Sequence, residues 1–377
     1  MSTPRALEGL RVAEFGSYAA GPHIGKMLAN FGATVVHVES RVHPDGFRLQ
    51  YPPYKDGKPG IDGSGCFAYF NDSKLGVTLD LKSARGVELA RRLVATCDVV
   101  IENMRPGVMA RIGLGYEALK AVNPRLVMLS SCNMGQTGPR ADTPGFGSQL
   151  TALAGMSHLT GDRDGPPLLL YGPYIDFIAS VLGASAVLAA LERRRETGEG
   201  AYLDVSQYEC GLLFLAGELL DYHTNGRVAE RCGNEDPDAM PHGAYACGDG
   251  SWLALSCWSD AERARLPAAL DTWLRQRTAA QAAVELQAMG VHAHAVNTIA
   301  ELFTDPQLAA RGHWRRRTHD VIGEHAYCGP AFALSATPGE VTGPAPTLGR
   351  DNEAVLRGLL GLSADDYARY AAAGAFS

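Results

Sequence analysis

At 377 residues the chain is longer than the roughly 250–300 residues at which a single core stops growing, so two domains are expected. Its 46% hydrophobic and 20% charged residues, with 43 glycines, exclude a disordered or fibrous chain and suit a loop-rich α/β enzyme. A net charge of −7 argues against a nucleic-acid partner, so an anionic ligand has to find local cations.

Leu10 to Phe15 (LRVAEF) reads as a short strand. The turn Gly16–Pro22, a helix to about Phe31 and a second strand from Val35 to Val38, ending at Glu39, follow it. This order is that of a dinucleotide fold, but GSYAAGP stands where GxGxxG would, so no nicotinamide cofactor is expected. Residues 40–69, rich in Pro, Gly and Asp, read as a long loop. A strand over Gly76 to Leu81, a helix from Ser83 to Thr96, a strand at Val99 to Ile101, a helix from about Val108 and a strand over 126–131 complete a βαβαβ pattern. That pattern calls for a parallel sheet with helices on its faces. Ligands of such sheets sit beyond the carboxyl ends of the strands. The loops there carry Arg41, Lys82, Arg105 and Arg111 beside Asn103, Asn133 and Gln136. Solvated surface charge and a phosphate-bearing ligand are both consistent with them.

The stretch from Tyr171 to Asp204 organises the chain. Asp176 follows a Gly-Pro turn at the mouth of a helix from Phe177 to about Arg195, which ends in ETGEG (196–200). Ala179, Gly183, Ala184, Ser185, Ala186, Ala189 and Ala190 let other backbone approach this helix closely, while Val181, Leu182, Val187, Leu188 and Leu191 supply apolar bulk. Position alone makes Asp176 either an N-cap or a carboxylate nucleophile.

Asp204 to Thr224 reads as a second helical run. A smaller domain is expected from 228 to 325: a hairpin over 243–256 with Gly-Asp-Gly at its turn, helices Ala261–Gln276 and about Ala280–Met289, and a strand around Val291–Val296. The tail, with helices Asn352–Leu360 and Ser363–Ala373, returns to the first domain, which thus comprises 1–227 and 326–377. The eight cysteines are scattered, with no CxxC pair and no zinc spacing; free thiols in a reducing cytosol and no metal are expected. The N-terminus has no uninterrupted apolar stretch, and no 18-residue apolar run free of charge follows, so a cytoplasmic protein without a membrane partner is expected.

Taken in order, LEGLRVAEFGSYAAGP (7–22), GATVVHVE (32–39), GVTLDLKSARG (76–86), DVVIENMRPGVMARIGL (98–114), GQTGPRADTPGF (135–146), IDFIASVLGASAVLAALERRRETGEGAYLDVS (175–206), LFTDPQLAARGHW (302–314) and APTLGRDNEAVLRGLLGLS (345–363) resemble the family III CoA-transferases. That group includes formyl-CoA transferase, carnitine CoA-transferase, benzylsuccinate CoA-transferase and the related α-methylacyl-CoA racemase. The resemblance covers nearly the whole chain. It implies a large Rossmann-like α/β domain built from both chain ends, a smaller central domain and a dimer of interlocked chains, either a homodimer or a heterodimer with a related subunit. It implies that Asp176 is the nucleophile, with acyl-CoA and a small carboxylic acid as substrates and with aspartyl-anhydride and aspartyl-CoA thioester intermediates. For coenzyme A it implies contacts at Ser17, Tyr18 and Ala19, at Leu79, Leu81 and Lys82, and at Asn103, Met104, Arg111 and Ile112, with Arg41 on the 3′-phosphate.

The chain departs from formyl-CoA transferase at Ser17 and Ala19, where that enzyme has histidine and glutamine, and has no run of four glycines near Gly233; oxalate is not the expected acceptor. GPYIDF and HGAYACGDGSWLALS (242–256) resemble benzylsuccinate CoA-transferases, which points to a succinyl-CoA-like donor and an aromatic or dicarboxylic acceptor. Two alternatives stand beside this. The racemase adds a proton-transferring histidine, whose place Phe146 occupies here. A non-catalytic CoA-binding partner subunit is opposed by the retention of Asp176 with its surroundings.

Overall fold

The computed structural model describes residues 4–377. Its first compact unit comprises the chain up to Ala154, Tyr171–Ala216 and Gly312–Ser377. Here β1 (Arg11–Glu14), α1 (Ala20–Asn30), β2 (Thr34–Glu39), α2 (Gly65–Asn71), β3 (Leu75–Thr78), α3 (Ala84–Ala95), β4 (Val99–Glu102), α4 (Val108–Arg111), α5 (Tyr116–Lys120), β5 (Val127–Cys132), α6 (Gly147–Leu153), α7 (Tyr174–Thr197) and β6 (Ala201–Ser206) follow one another. The six strands form one parallel sheet in the order β3-β2-β1-β4-β5-β6. Chain direction across the sheet reverses between β1 and β4, the switch point at which doubly wound sheets open a crevice.

Strand alternation divides the apolar side chains between two layers. Ala13, Val36, Val38, Val77, Val100 and Met128 face Leu89 and Leu93 of α3, Leu119 of α5 and the tail residues Val355, Leu356 and Tyr370. Val12, Val35, Val99, Ile101, Val127 and Leu129 face Ile24 and Leu28 of α1 and Ala184, Val187 and Ala190 of α7. By length and hydropathy α7 could cross a membrane; in this fold Ile175, Ala179, Ser180, Gly183, Ala184, Val187 and Ala190 are buried in the unit.

The second unit comprises Gly155–Leu170 and Gly217–Arg311. β7 (His242–Ala246), β8 (Trp252–Ser256) and β9 (His292–Ala295) form an antiparallel sheet. The helix Ala279–Ala288 covers the face carrying Leu253, Leu255 and Ala293.

Several boundaries differ from the sequence expectation. Ala201–Ser206 is the sixth strand, not the approach to a helix: it lies at the sheet edge with Tyr202 and Asp204 exposed, so no continuous apolar run marks it. The expected helix over 261–276 is two short turns, Asp260–Arg263 and Leu270–Leu274, with Pro267 between them, where a continuous helix would lose a hydrogen bond. A hairpin of β10 (Trp314–His319) and β11 (Gly323–Cys328) was not expected. It extends the first unit back to Gly312, because Tyr327 is buried among Phe47, Phe67, Phe70, Val341 and Ala345.

Candidate active site

The site is built on the start of α7. Gly172, at a φ of 89°, turns the chain into the helix, and Pro173 stands at the N-cap without a side-chain cap bond. Asp176 therefore lies inside the first turn and is not the cap: its N–H donates to Pro173 O at 3.0 Å. One turn later Ser180 Oγ lies 2.6 Å from Asp176 O and 2.9 Å from Ala20 O, which ties α7 to the start of α1. The two helices meet at Gly183, where a Cβ would fall 2.7 Å from Ile24 Cδ1.

The Asp176 carboxylate rests on the first residue of α6. A Cβ on Gly147 would lie 1.9 Å from Asp176 Oδ2 and 2.7 Å from Pro173 Cβ. Burial pushes the carboxyl up to about 7, opposed only by the residue's own backbone N–H. A carboxylate without a counter-cation among the described residues, titrating near neutrality, is poorly solvated and chemically available. Phe146, which precedes Gly147, is exposed and lies edge-on to Tyr18 at 5.7 Å between ring centroids.

Tyr18 belongs to the loop after β1, at the switch point. Asn103, just past β4, clamps that loop: its Oδ1 accepts Ser17 N–H at 2.8 Å and its Nδ2 donates to Ser17 O at 2.8 Å. Beside the loop is a cavity of about 360 Å³ lined by Ser17, Tyr18, Val42, His43, Pro44, Asp45, Gly46, Leu49 and Gln50. Lys82 Nζ lies 2.7 Å from His43 Nε2, which brings the loops after β2 and β3 together. Arg41 is exposed next to this rim, its guanidinium 3.3 Å from where a Cβ on Gly349 would stand. Ala19 and Leu79 are buried, Leu81, Met104 and Ile112 pack half-buried on one core, and Arg111 is exposed beside Gly107. The residues singled out for CoA thus lie in the segments that follow β1 to β4, while Asn133 and Gln136 follow β5, where Asn133 Nδ2 donates to Gly145 O and Gln136 N–H to Asp204. The side chain of Asn103 is committed to Ser17.

Four participants escaped sequence reading. Gly147 and Gly46 matter because side chains lie against them; Asp45 matters because it accepts two backbone N–H groups. His23 has its ring 5.1 Å from Phe177 and 5.7 Å from Phe70; burial lowers it to about 3, so it is neutral at physiological pH. Only the Gly in PGFG (144–147) carried a sequence signal, as a turn residue before a helix.

The family model of CoA-transferase family III matches residues 7–266 and 259–352. The succinyl-CoA–D-citramalate CoA-transferase of Chloroflexus aurantiacus is 33% identical over 97% of this chain and 96% of its own. The alpha subunit of succinyl-CoA–L-malate CoA-transferase from Chloroflexus aurantiacus is 33% identical over 98% of this chain and 94% of its own. Among solved structures, a CAIB/BAIF family protein from Brucella suis superposes with a TM-score of 0.86 at 29% identity, covering 95% of this chain and 100% of that one.

Proposed function

The chain belongs to CoA-transferase family III, and on that premise we propose that it moves CoA from succinyl-CoA or a similar donor to a dicarboxylic acid, with Asp176 as the nucleophile. The relatives named for citramalate and malate support both the donor and an aliphatic dicarboxylate acceptor. The single observation that carries the role of Asp176 is its half-buried carboxylate, without a cation partner among the described residues, held over Gly147 beside the Tyr18 loop. Ser17, Tyr18, Ala19, Leu79, Leu81, Lys82, Asn103, Met104, Arg111 and Ile112 would line the CoA site, with Arg41 on its 3′-phosphate.

In the first step an Asp176 carboxylate oxygen attacks the thioester carbonyl. The C–S bond breaks, and CoA leaves as the thiolate from an aspartyl-acyl anhydride. The thiolate then attacks the aspartyl carbonyl, releasing the donor acid and leaving an aspartyl-CoA thioester. The acceptor carboxylate attacks that thioester and expels the thiolate again, which cleaves the second anhydride at the acceptor's carbonyl and frees Asp176. No proton is gained or lost overall, and groups of similar energy are exchanged, so ATP is not required.

Phe146 supplies no proton-transferring group where the racemase has its histidine, and both relatives are named as transferases, so a racemase is not proposed. A dimer is part of the proposal: Val181 and Leu188 of α7 and Leu213 and Phe214 are 44–65% exposed, a surface suited to a second chain. Intact-mass measurement with succinyl-CoA, with and without hydroxylamine, tests the chemistry. A CoA adduct or hydroxamate at Asp176, absent in Asp176→Asn, is expected; turnover without any adduct, or with one elsewhere, would refute the assignment.

A further inference from the structure

Tyr18 has a φ of 63°, the left-handed region that aromatic residues avoid unless their surroundings hold them there. Those surroundings are the segment 45–51. Asp45 Oδ1 and Oδ2 each lie 3.1 Å from Tyr18 N, and Oδ1 also accepts Phe47 N–H at 2.7 Å. Gly46 has no side chain because the Tyr18 ring occupies the space: a Cβ there would fall 2.1 Å from Tyr18 Cζ. Gly46 N–H donates to Ser17 Oγ at 3.2 Å, and Tyr18 Oη donates to Gln50 Oε1 at 2.7 Å. Phe47 and Tyr51 meet the same ring edge-on at 5.5 and 6.2 Å.

We propose that Asp45 is a positioning residue, acting through Tyr18 to hold the loop after β1 in the turn that meets acyl-CoA, at full strength only while it is a carboxylate. The role of that loop rests on the CoA-transferase reading above; the hold of Asp45 on Tyr18 does not. Asp45 is 3% exposed. From β2, His37 Nε2 faces it at 3.8 Å, and Glu39 Oε2 accepts Asp45 N–H at 2.8 Å while Arg48 pairs with Glu39. Lys74 before β3, Cys66 of α2 and Tyr18 itself are the other titratable groups that feel its charge. Burial, opposed by His37 and reinforced by Glu39, pushes Asp45 up to about 6. Protonation near that pH replaces charge-assisted acceptance of Tyr18 N–H by a weaker bond.

The experiment is a double-mutant cycle on the full chain with Asp45→Asn and Tyr18→Gly. CoA affinity is measured by calorimetry, steady-state constants with succinyl-CoA, and amide exchange of residues 16–22 without ligand. In the Tyr18 background Asp45→Asn should weaken CoA binding roughly ten-fold, raise KM more than it lowers kcat, and speed exchange of the loop. In the Tyr18→Gly background it should change affinity by less than about two-fold, because glycine takes the left-handed turn unaided. Equal losses in both backgrounds, or unchanged exchange, would overturn the proposal. If the unaltered protein binds no CoA, the CoA-transferase reading fails, and loop exchange still decides the role of Asp45. Should Asp45→Asn not fold, the unaltered chain suffices: loop protection, corrected for intrinsic pH dependence, should fall below about pH 6, and constant protection from pH 7.5 to 5 would overturn the proposal.

Discussion

Gly147 and Asp176 are in contact to the exclusion of any side chain at residue 147: a Cβ there would stand 1.9 Å from Asp176 Oδ2 and 3.0 Å from its Cγ. Because Pro173 Cβ would also be only 2.7 Å away, the new methyl cannot be relieved by a small rotation of the carboxylate alone. Gly147→Ala should displace the carboxylate by a large fraction of an ångström. The expected cost is about 100-fold in kcat, with about 1–3 kcal/mol of stability from overpacking. Gly217→Ala is the control, since nothing lies within 4 Å of a Cβ there; it should leave kcat unchanged. Steady-state kinetics and thermal melts of the two variants check this, and an undiminished rate for Gly147→Ala would show that the carboxylate is not held in this position for chemistry.

The same burial fixes how Asp176 responds to pH. Its carboxyl is raised to about 7 in the folded chain against 3.8 ordinarily. Well below pH 4 both states are protonated and the residue costs nothing. Between about 4 and 7 the unfolded chain ionises first, so folding stability falls as pH rises, and above 7 the penalty is constant. Partial exposure keeps it to about 1–3 kcal/mol, less than the full shift implies. Asp176→Asn should therefore match the unaltered protein at pH 4 and melt at higher temperature at pH 8. The acidic limb of kcat/KM for succinyl-CoA should fall near pH 7, since in the proposed mechanism only the carboxylate attacks. Melting curves of the pair that stay parallel from pH 4 to 8 would contradict a raised carboxyl.

The parallel sheet and the convergence of the Gly16–Pro22, Arg41, Lys82 and Asn103 loops were legible because buried parallel strands leave short apolar runs, each ending in a turn, in an order that allows few topologies. β6 was not, since an edge strand with Tyr202 and Asp204 in solvent shows too little contrast. Asp176 was legible as an acid beside a Gly-Pro turn, but its place inside the first turn depends on where Pro173 caps the helix, a matter of one turn that sequence does not resolve. The contacts made by Asp45 and Gly147 were not legible for another reason. Each acts on a residue distant in sequence, and a single Asp in a loop or Gly at a helix start carries no mark of the atom it will meet.

Beneath the first loop, Lys74 donates to Glu14 at 2.8 and 3.0 Å, to Pro22 O at 2.7 Å and to Asn71 Oδ1 at 2.8 Å, with no solvent reaching either charge. Burial alone would raise Glu14, but Lys74 and His37 outweigh it and hold the carboxyl below its usual range. Lys74→Ala removes the principal cation and leaves Glu14 buried, so about 3–5 kcal/mol should be lost at pH 7. Lys74→Met with Glu14→Gln should recover much of it, because neither charge then needs a partner. Denaturant midpoints of the three proteins check this. A single variant no worse than the double would mean that Glu14 finds water or another cation.

At the crossing of α1 and α7, two effects of similar size oppose each other at Gly183. Alanine in mid-helix is favoured over glycine by about 1 kcal/mol. Yet its Cβ would stand 2.7 Å from Ile24 Cδ1 and 3.4 Å from Leu129 Cδ1, and forcing Ile24 off its rotamer costs about 0.5–1.5 kcal/mol. Gly183→Ala alone should therefore fall within about 1 kcal/mol of neutral. Ile24→Val deletes the clashing atom at a cost of about 0.5–1.5 kcal/mol. On that background Gly183→Ala should stabilise by about 0.5–1 kcal/mol, the helix propensity now unopposed. Chemical denaturation of the four members of the cycle measures the coupling. Strict additivity would mean that Ile24 already has a second rotamer free, and that α1 and α7 are not packed at the distance seen here.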